Sequence, residues 1–220
     1  SQLLEGLSAY DQDDGDLTSK IVVGSMSRFI NPGVCNVTYV VFDSSNHSAS
    51  FTRKVRFSDY HAPRFNTSEP LVFTEREGNS TLLKERIIAN DIIDGEISES
   101  VINTSSDINY SVAGTYHSTY EVSNSFGDTS TIELPVHIIK SENNQIDIKL
   151  TQGIIYINTG DTIDAADYIE SVTSAQGRTL HRVVKIESNV DNTTPGVYEI
   201  HYSASYSGTN GETWLTVVVQ

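Results

Sequence analysis

Four aspartates stand close together near the start of the sequence, at Asp11, Asp13, Asp14 and Asp16, with Gly15 among them. Ca²⁺ binds several oxygen ligands, and alternate aspartates around a glycine can supply them. The EF-hand order is not met, because the glycine comes early and no glutamate closes the loop. The alternative is a turn in which the aspartates accept hydrogen bonds from backbone N–H groups and the glycine takes a positive φ. The pattern therefore predicts a calcium site or a tight turn, and we favour the turn.

A second acidic turn carries Asp91, Asp94 and Glu96. Fewer charges are spread over this turn, so it should attract a cation more weakly. Calcium is the one ion that the two turns suggest, and no sequence motif for an organic cofactor accompanies them.

Catalysis would need a nucleophile or an acid–base pair, and the sequence offers few. Cys35 is the single cysteine, and its place in a strand repeat predicts a small buried side chain rather than an activated thiolate. The histidines show no metal-binding spacing. They lie at His47, His61, His117, His137, His181 and His201. Because no nucleophile elbow or phosphate loop is recognisable either, we expect no enzymatic activity.

The charge of the chain restricts its partners. It has 14 basic and 29 acidic residues, for a net charge of −15. Phosphate binding requires an excess of Lys and Arg, so we expect neither nucleic acid nor an anionic membrane as a partner. No apolar run approaches the length of a membrane span, and we expect no membrane insertion in this segment. With one cysteine there is no intrachain disulfide, so the fold must depend on its core.

The elements that would position these residues are strands. Val, Ile, Thr and Tyr alternate with polar residues, and Gly, Asn, Asp and Ser break the runs. This pattern predicts an all-β fold built from antiparallel sandwiches. Residues 164–170 are the exception and predict at most a short helical turn.

An internal repeat is visible in the segments 32–39, 113–120 and 195–202. Their glycines, Gly33, Gly114 and Gly196, lie 81 and 82 residues apart, a period suited to small sandwich domains. A tyrosine follows six residues after each glycine. These are Tyr39, Tyr120 and Tyr202. Because side chains alternate along a strand, the even offsets from the glycine share one face, which we expect to be buried.

The last strand of each repeat should pair with this glycine–tyrosine strand. Eighteen residues after each glycine stand Phe51, Ile132 and Trp214. The common offset predicts that all three face the core, although a lone tryptophan also suggests a carbohydrate platform. We therefore interpret Trp214 as a core residue.

Three domains follow from the period: residues 1–60, 61–140 and 141–220. Breaks are expected at 59–63, where Pro63 stops a sheet from continuing, and at 140–144. The first domain is shorter than the others. We expect it to lack its first strand, the counterpart of 66–78, which would precede Ser1. The third domain is diverged.

The motifs resemble the bacterial immunoglobulin-like repeats of Gram-positive surface proteins. The first repeat has Asp14-Gly-Asp-Leu-Thr18, then Gly33 to Tyr39, then a hairpin beginning at Asp43. It departs from the family pattern at Cys35, where tyrosine is usual, and at Asn46, where glycine is usual. The second repeat has Asp94-Gly-Glu-Ile97, whereas the third has Gln176-Gly-Arg178 in place of the acidic triplet.

This resemblance implies tandem immunoglobulin-like β-sandwich domains, an extracellular or cell-surface location and no catalytic residues. We expect a monomeric, non-catalytic spacer or stalk that displays a functional head. The alternative is an adhesion module that recognises a glycan or a host protein through its loops, because loops on such a scaffold are free to vary.

Overall fold

The computed structural model describes residues 2–142, 144–180 and 183–220, without the side chain of Gln2. His181 therefore lies outside the described residues. Strands dominate, and the fold is all-β, as predicted. The strands are β1 (Tyr10–Asp11), β2 (Gly15–Asp16), β3 (Val22–Met26), β4 (Val34–Phe42), β5 (Ser48–Arg56), β6 (Arg64–Thr67), β7 (Val72–Thr74), β8 (Ile87–Asp91), β9 (Gly95–Glu96), β10 (Ile102–Ser106), β11 (Gly114–Ser123), β12 (Thr129–Ile139), β13 (Asp147–Leu150), β14 (Ile154–Ile157), β15 (Ile169–Thr173), β16 (Val184–Ser188), β17 (Gly196–Tyr206) and β18 (Thr209–Val219).

Helical structure is short. The 164–170 segment forms a 3₁₀ turn at Ala165–Tyr168, as predicted. The helix α1 (Ser80–Arg86) was not predicted, because its seven residues bury a single apolar side chain, Leu83. It begins at Asn79, whose side chain accepts hydrogen bonds from two backbone N–H groups of the first turn. Further 3₁₀ turns lie at Gln2–Leu4, Thr18–Lys20 and Ser98–Ser100. Among the described residues, no helix has both the length and the apolar character needed to cross a membrane.

The chain divides into two compact units. Unit 1 comprises Ser1–Pro63 together with the turn Asp91–Asp94 and the hairpin tip Ser123–Thr129. Unit 2 comprises Arg64–Asn90, Gly95–Val122 and Ser130–Gln220. The division at Pro63 lies close to the first predicted boundary. The map of three domains, with its second boundary near 140, stays a prediction.

Unit 1 contains the β1–β2 ribbon and the antiparallel sheet β3–β4–β5. Its core is small: Ile21, Cys35, Val37 and Tyr39 are buried, and half-buried apolar side chains from Leu4 to Phe126 pack around them. In this sheet β5 is an edge strand, because it pairs with β4 on one side and with no other strand of the described chain.

Unit 2 contains the same arrangement twice. One sheet has the order β10–β11–β12–β7 and the other has the corresponding order β16–β17–β18–β14. In both sheets the strand after the hairpin accepts a short parallel partner, β7 on β12 and β14 on β18. Smaller sheets, β6–β8–β9 and β13–β15, lie with them. A first strand was expected within 66–78, where β7 lies, but the parallel pairing of β7 and β14 was not predicted, because three or four residues are too few to show a period.

The predicted buried face of the glycine–tyrosine strands is confirmed. Tyr39, Tyr120 and Tyr202 are 2%, 4% and 0% exposed. Burial raises the pKa of Tyr202 to about 12, and its hydroxyl donates a 2.8 Å hydrogen bond to the Ala165 carbonyl. Cys35 is completely buried, as expected, and burial raises the pKa of its thiol.

The predicted core positions of Phe51 and Trp214 are wrong. Phe51 faces Tyr39 across the β4–β5 pair, yet it is 60% exposed. Trp214 lies on the opposite face of β18 from the core, because Tyr202 pairs with Thr213 and leaves Trp214 opposite His201.

A shorter hairpin causes this change of face. In the first repeat the β4–β5 ladder closes at Phe42 and Ser48, around a five-residue loop in which Asn46 takes a φ of 64°. In the third repeat the ladder closes at Tyr206 and Thr209, around Ser207 and Gly208, which both have positive φ. Such a two-residue turn suits the twist of a hairpin. It also shifts the register by one residue relative to the first repeat, which turns every following side chain to the other face.

Replacing Tyr202 with alanine should lower the free energy of unfolding by about 3–5 kcal/mol, because the change deletes a fully buried aromatic ring. Denaturant unfolding of the full chain measures this loss. Tyr10→Ala is the matched control, since it removes the same side chain from a position that is 80% exposed. Equal unfolding curves for the two variants would contradict the assigned buried face.

Candidate functional site

The first acidic turn is held by its own carboxylates. Asp11 Oδ1 accepts hydrogen bonds from the backbone N–H groups of Asp13 (2.9 Å) and Asp14 (3.0 Å). Gly15 follows with a φ of 76°, a conformation that costs glycine little. Asp16 accepts from the Thr18 N–H at 2.8 Å, and hydrogen bonds from the side chain and backbone of Thr18 lower the pKa of Asp16. These hydrogen bonds are those expected of the tight turn that we favoured from the sequence.

Asp14 reaches across to the next hairpin. Its Oδ2 accepts from the Ser44 N–H at 2.6 Å and its Oδ1 accepts from the Ser44 hydroxyl at 2.8 Å. The backbone and side-chain hydrogen bonds of Ser44 lower the pKa of Asp14. We call this bidentate contact the carboxylate–serine clamp. It joins the acidic turn to the β4–β5 hairpin.

The second acidic turn repeats this geometry within unit 1. Asp91 Oδ1 accepts from the backbone N–H groups of Ile93 (2.9 Å) and Asp94 (3.0 Å). Asp94 then holds Ser125 through the serine N–H (2.6 Å) and hydroxyl (2.7 Å). The two clamp serines were missed from the sequence. The signal was present, because Ser44 and Ser125 both stand eleven residues after the repeat glycine.

The third repeat has a turn without the clamp. Where the acidic triplet is lost, the Ser174 N–H donates to the Arg178 carbonyl at 3.0 Å, and the Arg178 N–H donates to the Ser174 hydroxyl at 3.3 Å. Gly177 supplies the positive φ of 72°. In place of the clamp, the Arg178 guanidinium donates to the Tyr206 hydroxyl at the β17–β18 hairpin at 3.1 Å.

Calcium has no preformed cluster in the described part of the chain. There, no three carboxylate, imidazole or thiol side chains are placed to hold one metal ion. Three of the four aspartates direct oxygens to N–H or hydroxyl donors instead. Calcium binding at Asp11, Asp13, Asp14 and Asp16 stays a prediction.

A largely buried polar cluster lies in unit 1 beside the second clamp. The Tyr60 hydroxyl donates to Asp128 Oδ2 at 2.7 Å and accepts from Asn124 Nδ2 at 2.9 Å. The same Asn124 amide donates to Asp91 Oδ2 at 3.1 Å. Burial, followed by the hydrogen bond to Asp128, raises the pKa of Tyr60 far above its usual range. The hydroxyl is therefore held as a donor to Asp128, and Asn124 joins it to Asp91.

Aromatic packing surrounds this cluster. The Phe29 ring stacks on Phe126 at 4.8 Å and meets the edge of Tyr60 at 4.7 Å. The Phe29 N–H also donates to the Phe126 carbonyl at 3.1 Å. Gly33 lies against Tyr60 so closely that a Cβ atom would stand 2.8 Å from the tyrosine Cβ. The expected linker residue Tyr60 is thus packed on several sides.

Unit 2 contains an aromatic and hydrogen-bonded contact that the sequence did not predict. The imidazoles of His137 and His201 stack on the Trp214 indole, with ring centroids 3.9 and 4.3 Å away. His137 is buried, with Nδ1 3.1 Å from the Thr115 hydroxyl and Nε2 2.6 Å from Glu199 Oε1. His137 therefore joins β12 to β17. The His201 side chain is about a quarter exposed.

A second contact in unit 2 joins β14 to β6. The Tyr156 hydroxyl donates to the Phe65 carbonyl and accepts from the Phe65 N–H, both at 3.0 Å. The Arg64 guanidinium stands 4.9 Å from the Tyr156 ring centroid. Nearby, Gly153 packs on Thr67, and a Cβ atom there would collide with the threonine hydroxyl. Ile154 belongs to the hydrophobic core around Phe65, so apolar contact is continuous between β6 and β14. We call these contacts of Tyr156 and Gly153, together with those of His137 and Trp214, the junction in unit 2.

Known proteins match parts of the chain. No family model matches. Pesticidal crystal protein Cry22Aa of Bacillus thuringiensis is 32% identical over 206 residues, which are 90% of this chain and 27% of that protein. An uncharacterised 81.3 kDa protein of Acholeplasma phage L2 is 31% identical over 139 residues, 60% of this chain and 18% of its own length. The chain thus spans about a quarter or less of these relatives.

Among solved structures, the chain is similar to the M60 catalytic domain with the CBM51-1 and CBM51-2 domains from Clostridium perfringens ZmpB. The identity is 13% and the TM-score is 0.29. The match covers 86% of this chain and 33% of that one.

Replacing Asp14 with alanine should lower the melting temperature, because it removes both bonds to Ser44. The Ser44 bonds lower the pKa of Asp14 in the folded state below the ordinary value of 3.8. Their stabilisation is therefore fully present above that value and is lost as the pH falls through the lowered pKa. The melting difference between wild type and variant should be constant near neutral pH and disappear in acid.

Asp13→Ala is the control, because the Asp13 carboxylate takes no part in the clamp. The same melting experiment tests calcium. A bound ion stabilises the folded state by mass action, so Ca²⁺ should raise the wild-type melting temperature, with Mg²⁺ as the comparison, if the predicted site exists. No response to Ca²⁺ would leave the aspartates as turn and clamp residues alone.

Proposed function

We propose that this chain is a non-catalytic spacer of tandem immunoglobulin-like sandwiches in a bacterial surface or secreted protein. The observation that carries the proposal is the junction in unit 2, where side chains of one repeat are built into the next. Tyr156 bonds both backbone groups of Phe65, and His137 bonds Glu199 and stacks on Trp214. A spacer needs such junctions, because a display distance is kept only when successive modules do not swing.

The comparisons support the proposal that this segment is a module used in more than one longer protein. Matches to 27% and 18% of two proteins with different names are typical of a segment that is inserted into longer chains. The resemblance of the sequence motifs to the immunoglobulin-like repeats of Gram-positive surface proteins also supports a spacer role. The repeated strand order in unit 2, with a parallel strand closing each sheet, agrees with an immunoglobulin-like sandwich.

The stiffness of the junction is testable by distance measurement. Nitroxide labels at Ser106→Cys and Glu170→Cys, both exposed positions of unit 2, should give one narrow distance distribution. Cys35 is fully buried and should stay unlabelled in the native protein. Gly153→Ala should broaden the distribution, because its Cβ collides with Thr67 beside the Glu69 backbone.

Gly114→Ala is the matched control for Gly153→Ala. Its Cβ would meet nothing closer than 3.5 Å, and its φ is not positive. The distribution should keep its width in this variant. A broad distribution in the unmodified sequence would contradict the spacer proposal, because the repeats would then move independently.

A glycan-binding role is the second candidate, and the position of Trp214 favours it. The indole lines an open cavity of about 590 Å³ together with amide and carboxylate side chains, which are those of Asn144, Asn210, Glu142 and Glu212. Sugar sites combine an aromatic surface with polar groups of this kind. Trp214 is the single tryptophan, so its fluorescence reports directly on the cavity.

Titration with a panel of soluble glycans should change the Trp214 fluorescence in a saturable way if the cavity is a sugar site. Glu142→Gln and Asn210→Ala should then weaken the response, because they alter polar groups of the cavity without touching the indole. A panel that leaves the fluorescence unchanged would exclude those glycans and favour the spacer. A saturable change would establish binding as a separate activity, independent of the junction measurements.

A further inference from the structure

The two larger sheets of unit 2 share a pairing that bears on mechanical load. In each, a short strand early in the repeat pairs in parallel with the strand that ends the repeat, β7 with β12 and β14 with β18. Tension along the chain pulls the early strand towards its amino end and the last strand towards its carboxyl end, so one slides along the other. The bonds of a parallel pair are evenly spaced, so sliding loads them together, whereas peeling loads them one after another.

The β14–β18 pair of the third repeat is bonded at both of its ends. At the beginning of the pair, the Thr216 N–H donates to the Gly153 carbonyl at 3.0 Å. At the other end, the Gln220 N–H donates to the Ile157 carbonyl at 2.9 Å, and the Gln220 carbonyl accepts from the Thr159 N–H at 3.0 Å. Sliding of β14 along β18 therefore has to break bonds at both ends of the pair at once.

The strand β14 is covered on both faces. Ile154 and Tyr156 pack in the core of the second repeat, whereas Ile155 and Ile157 lie in the core of the third. Successive side chains of a strand point to opposite faces, so this one strand contributes to two cores. The apolar cover keeps water away from the bonds of β14, and a hydrogen bond in such surroundings is stronger than one in water.

Tension reaches β14 through the strand that precedes it. The chain enters the third repeat by β13, which pairs with β15 in the smaller sheet, so β13 is loaded first. When β13 detaches, the load passes to β14. There it is opposed by the parallel bonds to β18 and by Tyr156, which bonds both backbone groups of Phe65 in the second repeat. The pair therefore stays loaded after the first strand of the repeat has been removed.

We propose that the parallel pair β14–β18 bears tension along the chain and sets the force at which the third repeat unfolds. We call it the load-bearing pair. The proposal rests on the spacer function, because a module between a head and its anchor is pulled from both ends. Forced unfolding is governed by the unfolding rate rather than by the equilibrium free energy of unfolding. The direction in which the pair is pulled should therefore decide the strength of the repeat.

Single-molecule pulling of the full chain compares two directions. Handles at Gln152→Cys and Gln220→Cys pull opposite ends of the load-bearing pair and slide the strands. Handles at Thr159→Cys and Gln220→Cys pull the same end and peel them. All three positions are exposed, and the fully buried Cys35 should take no handle. Sliding should need about twice the rupture force of peeling or more, because several bonds then resist the same displacement.

A backbone variant tests the bonds themselves in the sliding direction. Thr159 stands second in a turn that the Asp161 N–H closes on the Asn158 carbonyl at 3.0 Å, and Gly160 follows with a φ of 89°. Proline suits that second position of a type II turn, so Thr159→Pro should fold and lose only the bond to Gln220. At a fixed force it should unfold about fivefold faster, the effect of one hydrogen bond. Thr159→Ala keeps the N–H and should unfold more slowly than Thr159→Pro.

Equal rupture forces in the two directions would overturn the proposal, and so would equal unfolding rates of Thr159→Pro and Thr159→Ala. Melting curves check that both variants fold. If the proline variant does not fold, the comparison of directions decides alone, because it leaves every bond of the pair in place. Equal forces together with a narrow distance distribution between the nitroxide labels would remove the load-bearing pair and leave the spacer. A broad distribution together with a higher sliding force would do the reverse.

Discussion

The register between the glycine–tyrosine strand and the strand after it determines most of this structure. In an antiparallel pair, a shift of one residue moves every side chain to the other face. The first repeat pairs Tyr39 with Phe51, whereas the third pairs Tyr202 with Thr213. As a result Leu215 and Val217 face the core of the third repeat, and Trp214 and Val218 face outward. Val218 packs against the core around Phe65, and Trp214 packs against His137. The shorter hairpin thereby provides the apolar surface on which the junction in unit 2 is built.

Acidic residues stabilise the loops by binding backbone donors. Asp11 and Asp91 each accept from two successive N–H groups of their own turn, and Asp14 and Asp94 each hold a serine of the neighbouring hairpin. Charge-assisted hydrogen bonds of this length are stronger than neutral ones. They offset the mutual repulsion that four aspartates in six residues would otherwise produce. The hydrogen bonds from the backbone and then the side chain of Ser44 favour the charged form of Asp14 and so lower its pKa.

Sequence patterns predicted what depends on local alternation. The all-β class and the buried tyrosines follow from a period of two within one strand, and both are confirmed. The face of Trp214 could not be predicted from a common offset, because it depends on a hairpin whose pairing register is shifted by one residue. The parallel pairing of β7 and β14 was missed for a different reason: their few residues are placed by long-range pairing with β12 and β18. Among the candidate site residues, Asp11, Asp14 and Asp16 were predicted as turn formers, but the serine partners lie some 30 residues away in sequence.

The junction in unit 2 depends largely on contacts between side chains and main chain. Such contacts restrict the residue type at few of the contacted positions. Tyr156 bonds the N–H and carbonyl of Phe65, groups that almost any residue at position 65 would supply. Gly153 matters because it has no side chain beside Thr67, so its requirement is steric. Tyr156 and Gly153 therefore place few requirements on the residues that they contact. These contacts do not require the acidic triplet, which the third repeat lacks, because the clamp joins loops whereas Tyr156 lies on the strand β14.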